Sequence, residues 1–159
     1  MALDVEQLVR RSVVVEASQE RAFDVFTRGF STWWPLESHH IGAADCAEAV
    51  IEPRAGGRWF ERGVDGSECD WGRVLEWDPP HRVRLAWMLG PQWQYDPDDS
   101  HATEVEIQFV AEGAATTRVE LVHSGFEQVD GGEQIRTGVS ADGGWGSLLQ
   151  LYAQAVGNP

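Results

Sequence analysis

Alternation of apolar and polar residues with a period of two runs through much of the chain. It predicts a strand over residues 103–111, with large apolar side chains on one face and acidic or amide side chains on the other. Residues 117–124 repeat the pattern after a turn and place His123 on the apolar face. Five more segments, rich in β-branched or aromatic residues and bounded by turn residues, are predicted as strands: 8–16, 46–53, 58–62, 70–77 and 82–88.

The pattern changes to helical spacing near the C-terminus. Over residues 140–156 the large apolar side chains fall on one face of a helix: Trp145, Leu148, Leu149, Tyr152 and Val156. Ser140 is the predicted N-cap of this helix. Three glycines crowd its first turns, each costing about 1 kcal/mol relative to alanine. So weak a start indicates that another group passes close by, or that this end of the helix moves.

Two short helices are predicted between the first strand and the second. Ser18 caps a helix over residues 18–27, and a further helical turn in residues 30–36 ends before Pro35, which disfavours helical geometry at the residue preceding it. The order is therefore strand, two short helices, six strands and one long helix. It predicts a single α+β domain over residues 1–159, with an antiparallel sheet of six or seven strands covered on one face by helices.

Charge and composition narrow the range of partners. The net charge is −14, which repels phosphate backbones and anionic lipid surfaces and so argues against nucleic-acid or membrane binding. No run approaches the roughly 20 apolar residues of a membrane span, and the N-terminus does not resemble a secretory signal, so we expect a cytoplasmic protein. Cys46 and Cys69 are too distant for a CxxC motif and are interpreted as free thiols.

Several motifs together resemble a known family. The segments PRAGGRWFERG, WGRVLEWDPPHRVRLAW, HSGF and GGWGSLLQLYAQAV are similar to the START-like SRPBCC superfamily, and within it to the domain found in activators of the heat-shock protein 90 ATPase. The resemblance extends from about Val9 to Val156. It implies a helix-grip fold, in which a curved sheet wraps a long C-terminal helix and encloses a cavity.

In that superfamily the cavity serves lipid carriage, hormone binding, polyketide cyclisation or chaperone contact, so the fold alone does not define the activity. Chaperone activators of this kind carry an additional N-terminal domain, for which 159 residues leave no room. The resemblance therefore implies a pocket and weakens the expectation of a chaperone role.

The candidate site residues come from segments that this fold brings around one cavity. They are Trp33, Trp34, Trp87, Trp93, Phe109, His123, Trp145, Leu149 and Tyr152. Aromatic residues also fill ordinary cores, but eight tryptophans in one small domain, mixed with polar groups and glycines, favour a ligand pocket. His123 is the candidate polar handle or acid/base group, with Tyr152 as a second donor. The alternative for His123 is a buried, hydrogen-bonded core histidine.

Other polar clusters carry weaker signals. His39 and His40 lack the spacing of a metal motif, and the acidic run 96–99 lacks the glycine and terminal glutamate of an EF-hand, so no metal or cofactor is predicted. The loop 90–100 is interpreted as a lid that carries Trp93. No nucleophile elbow, phosphate loop or dinucleotide fingerprint is present.

The leading hypothesis is a binding protein that holds a small, hydrophobic, ring-containing molecule, oriented by His123 with Tyr152 or Arg58. Two alternatives stay open. One is an enzyme of the cyclase or hydrolase type that uses the same cavity through His123. The other is an interaction module for a chaperone or similar protein partner, and homodimer formation is also compatible with the sequence.

Overall fold

The computed structural model describes residues 8–157. Its strands are β1 (Val9–Val15), β2 (Cys46–Ile51), β3 (Arg58–Gly63), β4 (Glu68–Asp78), β5 (Arg82–Trp87), β6 (Thr103–Gly113) and β7 (Thr116–Ser124). Its helices are α1 (Gln19–Phe26), α2 (Phe30–Trp33), α3 (Gly132–Ser140) and α4 (Trp145–Gly157). None of the helices in this part of the chain is long and apolar enough to cross a membrane.

The strands form one curved antiparallel sheet in the order β1-β7-β6-β5-β4-β3-β2. The first two strands in the chain thus lie at opposite edges, and α1 and α2 connect them across one face. His123 on β7 is paired with Val9 of the edge strand β1 on one side and with Val105 of β6 on the other. The predicted α+β helix-grip fold is confirmed.

The hydrophobic core lies between the sheet and α4. The five apolar residues that the helical spacing aligned are all buried: Trp145, Leu148, Leu149, Tyr152 and Val156. The C-terminal half of α4 packs against α1, where the Tyr152 hydroxyl donates to the Ala22 carbonyl at 2.7 Å and the ring meets Phe26 edge to face. The N-terminal end of α4 borders the cavity described below, through Trp145 and Leu148.

The prediction of one helix beginning at Ser140 was wrong. Ser140 ends α3, and its hydroxyl donates back to the carbonyl of Arg136 at 2.7 Å instead of capping α4. The chain turns sharply at Gly143, where φ is +84°, and at Gly144, where an added Cβ would lie 2.1 Å from the carbonyl oxygen of Val139. The glycines therefore mark a junction between two helices. The group that was predicted to pass close to these glycines is the end of α3.

Paired charges cover the outer face of the sheet. Arg82 and Arg84 on β5 reach Glu76 on β4 and glutamates on β6, with N–O distances from 2.7 to 3.3 Å. Arg58, the secondary handle proposed above, also lies on this face, where it pairs with Asp70 at 2.7 Å. Because successive strand residues point to opposite faces, Arg58 points away from the core that its neighbour Trp59 enters.

Replacing Gly144 by alanine should destabilise the protein by about 1–3 kcal/mol, because the new Cβ would collide with backbone atoms of α3. The matched control is Gly113→Ala at the end of β6, where an added Cβ would meet nothing within 4 Å. Urea unfolding of both variants provides the measurement. Equal stability of the two variants would contradict the assigned junction.

Candidate functional site

A cavity of about 320 Å³ opens at the N-terminal end of α4. It lies between the sheet, α4, the loop that follows α2 and the junction of α3 with α4. Five tryptophans contribute to its lining and are here called the tryptophan wall: Trp34, Trp71, Trp87, Trp93 and Trp145. Leu89, Val139 and Leu148 add apolar surface, and Ser38, His39, His40 and Asp142 provide the polar side chains.

The indole N–H groups of the wall are unequally satisfied. Three donate to protein acceptors: Trp34 to the carbonyl of His39 (2.8 Å), Trp71 to Oε1 of Glu61 (2.7 Å) and Trp145 to Nδ1 of His123 (3.0 Å). The buried N–H of Trp87 has no acceptor among residues 8–157, and neither has that of Trp59, which lies outside the lining. Buried donors are rarely left unpaired, so this difference within the wall calls for a physical explanation.

His123 supports the wall from within the core and does not line the cavity. Its Nδ1 accepts from Trp145, so the neutral ring carries its proton on Nε2, which donates to the hydroxyl of Thr103 at 2.7 Å. Burial lowers the pKa of His123 to about 3 and keeps the ring neutral. Both nitrogens are therefore occupied, which matches the alternative interpretation of a hydrogen-bonded core histidine.

Glu61 is a buried carboxylate that the sequence analysis missed. It accepts hydrogen bonds from the backbone N–H groups of Ile41 and Gly42, at 2.6 and 3.1 Å, and from the Trp71 indole. These bonds hold the loop after α2 against β3. The signal was present in the sequence, because Glu61 alternates in phase with Trp59 along β3.

His40 lies beside this carboxylate and lines the cavity. Its Nδ1 is 3.0 Å from the carbonyl of Gly42, which can only accept, so Nδ1 carries the proton in the neutral ring. Nε2 then keeps its lone pair and has no hydrogen-bond partner in the described part of the chain. Oε2 of Glu61 lies 3.8 Å from Nδ1 of His40.

His39 links two sides of the cavity rim. Its Nε2 donates to the carbonyl of Gly143 at 2.7 Å, and its Nδ1 accepts from the Ser38 hydroxyl at 2.8 Å. The loop after α2 is thereby connected to the junction of α3 and α4. His39 and His40, which lack the spacing of a metal motif, thus lie at the rim of the cavity.

Trp93 occupies the opposite side of the rim on the loop between β5 and β6. Its side chain is 43% exposed and its φ is +61°, a conformation that costs energy for a bulky residue. The ring packs on Gly138 of α3, where an added Cβ would lie 2.7 Å from the indole. The ring can occupy this position because Gly138 has no side chain, and the role of the loop as a lid stays a prediction.

The predicted site residues separate into two groups. Trp34, Trp87, Trp93 and Trp145 line the cavity together. Trp33, Phe109, His123, Leu149 and Tyr152 are buried in the core and do not reach the lining. Phe109 and Tyr152 pack around Phe26, near the end of α4 that lies away from the cavity. Participation of the lining residues in ligand binding stays a prediction.

The remaining polar candidates form no metal centre in the structure. Within the described range 8–157, no group of three His, Cys, Asp or Glu side chains is arranged to hold a metal ion. Cys46 and Cys69 are free, and burial together with the charge of Glu61 raises the pKa of both thiols. Both therefore remain protonated at neutral pH.

Stability should fall on acidification because His123 is buried in its neutral form. The unfolded chain binds a proton below pH 6.5 whereas the folded chain excludes it down to about pH 3. Between these values each pH unit should cost about 1.4 kcal/mol from this group. Chemical unfolding from pH 6.5 to 5 should therefore give a steeper pH slope for the wild type than for His123→Gln, whose amide can accept from Trp145 and donate to Thr103. Identical slopes would contradict the assigned protonation state.

Comparison with known proteins adds information about ancestry. Residues 16–157 match the family model described as Activator of Hsp90 ATPase homolog 1-like protein. No curated protein matches the chain. Among solved structures, the chain is 42% identical to the anthrahydroquino-γ-pyrone synthase Txn09, with a TM-score of 0.65 and coverage of 93% of this chain and 96% of that one.

Two further structures extend the comparison. The self-sacrificing resistance protein CalC from Micromonospora echinospora is 29% identical, with a TM-score of 0.70 and 96% of both chains covered. Protein NE0264 from Nitrosomonas europaea is 12% identical, with a TM-score of 0.64 and coverage of 98% of this chain and 97% of that one. The latter supports the shared fold alone.

Proposed function

The chain belongs to the family of Activator of Hsp90 ATPase homolog 1-like proteins, and from this premise we propose that its cavity binds a planar, polycyclic aromatic compound related to anthraquinones. The observation that carries the proposal is the tryptophan wall around a volume of about 320 Å³. This volume lies at the lower end of the range for small-molecule pockets, about 300–1,000 Å³. Large rings offer flat, apolar surface on which a polycyclic ligand can pack.

The choice of an anthraquinone-like ligand draws on the synthase Txn09. Its name describes a product in which a γ-pyrone is joined to an anthrahydroquinone, and it is 42% identical to this chain. Three features of the present cavity fit such a molecule: aromatic side chains in its walls, few charged groups and a polar rim formed by Ser38, His39 and His40. A long flexible lipid would require a larger and more elongated cavity.

Anthraquinone should quench tryptophan fluorescence of the wild type saturably, after correction for absorbance. Leu148→Phe should weaken binding roughly tenfold or more, because the larger side chain fills part of the cavity that Leu148 lines. Leu151→Phe is the matched control, since Leu151 lies on the same helix and is 36% exposed. Absence of saturable binding to the wild type, or equal affinities of the two variants, would reject the proposed site.

A ring-closing enzyme is the second candidate, favoured by the arrangement of His40 and Glu61. A hydroxyanthraquinone with an adjacent 1,3-diketone side chain closes to a γ-pyrone when the phenolic oxygen adds to a ketone carbon and water leaves. Nε2 of His40 would accept the phenolic proton and pass it to the ketone oxygen, which gives a hemiketal. It would then accept a proton from the CH2 group between the two carbonyls and return it to the departing hydroxyl group, which leaves as water as the ring C=C bond forms. Glu61, 3.8 Å from Nδ1, would stabilise the protonated ring in between.

Incubation of the protein with such a diketone should then yield the γ-pyrone faster than the buffer does, as followed by chromatography. His40→Gln should reduce the rate about 10²-fold or more, as expected for loss of a general base. His81→Gln is the control, because His81 lies outside the cavity lining and contacts Gln19. A rate equal to that of buffer would leave binding as the function and exclude this reaction.

A further inference from the structure

One ring nitrogen of His40 is an accessible, unpaired acceptor on the cavity lining. Among residues 8–157, the side-chain nitrogen and oxygen atoms that are both enclosed and without a partner are the indole nitrogens of Trp59 and Trp87. Nε2 of His40 also has no partner in this range, but it is not one of these enclosed atoms and therefore keeps accessible surface. The side chain is 20% exposed and lines the cavity. A molecule in the cavity can thus reach Nε2, whereas the two enclosed indole nitrogens are shielded.

The protein fixes the other edge of the His40 ring. Nδ1 donates to the carbonyl of Gly42 at 3.0 Å and lies 3.8 Å from Oε2 of Glu61. The carboxylate of Glu61 is itself held by the backbone N–H groups of Ile41 and Gly42, the two residues that follow His40. The two nitrogens of an imidazole ring point in divergent directions, so these contacts turn Nε2 away from Glu61. With the proton on Nδ1, Nε2 presents a lone pair.

The other polar side chains of the lining are less suited to accept a hydrogen bond from a ligand. The hydroxyl of Ser38 donates to Nδ1 of His39, and Nε2 of His39 donates to the carbonyl of Gly143. Asp142 is an acceptor, but it is exposed, so a ligand would exchange one hydrogen bond from water for another with little net gain. His40 is more deeply buried than Asp142, which makes its lone pair the acceptor that gains more from a ligand donor.

We propose that Nε2 of His40 accepts a hydrogen bond from a phenolic hydroxyl group of the bound aromatic ligand. This inference rests on the proposed function and narrows it. The ligand class becomes planar aromatic compounds that carry a hydroxyl group on the ring system. The contact requires no reaction, so it applies to a binding protein as well as to an enzyme.

The test compares 2-hydroxyanthraquinone with 2-methylanthraquinone, which have nearly the same shape and differ in the hydroxyl donor. Equilibrium dialysis, at a pH that keeps the phenol uncharged, gives the ratio of the two affinities for each protein. His40→Phe keeps an aromatic ring and removes the acceptor, so this ratio should fall about tenfold in favour of the methyl compound. His81→Phe is the matched control, because His81 lies outside the cavity lining, and it should leave the ratio unchanged.

A second measurement uses the wild type alone and does not depend on folding of the variants. In nitrogen-15 spectra of the histidine rings, 2-hydroxyanthraquinone should move the signal of the unprotonated Nε2 of His40 upfield, as acceptance of a hydrogen bond does. The methyl compound should leave this signal in place. A signal that does not move with the hydroxyl compound, or a protonated Nε2 in the complex, overturns the inference.

The affinity ratios separate failure of this inference from failure of the proposed function. An unchanged ratio in His40→Phe, or an equal fall in His81→Phe, overturns the inference while the proposed function stands. The same holds if the ratio falls in Asp142→Asn and not in His40→Phe, since the carboxylate would then be the acceptor. Failure of the wild type to bind either anthraquinone rejects the proposed function and this inference together.

Discussion

Hydrogen bonds from the indole N–H groups of three buried tryptophans organise the polar side chains behind the cavity. A tryptophan contributes a large apolar ring, but burial of its N–H without an acceptor costs free energy. Here three acceptors of different kinds meet that need along the cavity: a backbone carbonyl at His39, a carboxylate at Glu61 and an imidazole at His123. The polar residues of the interior are thus placed mainly as partners of the rings.

This constraint also explains why the most polar residues of the core are structural supports. His123 and Thr103 continue the hydrogen bond of Trp145 into the sheet, which ties the first turn of α4 to β6 and β7. Glu61 ties the loop after α2 to β3 in a similar way. These hydrogen bonds fix three of the cavity's rings from the side of the core.

Sequence periodicity was sufficient for the sheet and for the buried face of α4. Alternation along residues 103–111 and 117–124 assigned both strands, and the helical spacing from Trp145 to Val156 assigned the buried face. Periodicity could not separate core from cavity, since both are apolar. A helix rises about 1.5 Å per residue, so Tyr152 lies about 10 Å along the axis from Trp145 and packs on α1 instead of the cavity.

The errors have equally local causes. Residues 125–139 are rich in glycine, which has low helix propensity, yet they contain most of α3, which tertiary packing stabilises. Glu61 was overlooked because a carboxylate is rarely buried, although its phase along β3 pointed inward. Its three N–H donors, two from one loop and one from Trp71, come from segments whose proximity is a property of the fold.

The distribution of charge bears on the kind of molecule that such a cavity accepts. The protein carries a net charge of −14, and the arginines Arg58, Arg82 and Arg84 are paired with carboxylates on the outer face of the sheet. The cavity lining contains no arginine, and Asp142 is its acidic residue. An anionic ligand would thus enter against the field of the whole molecule and find no cation to pair with. An uncharged aromatic compound meets neither obstacle, because ring contacts and single hydrogen bonds are insensitive to that field.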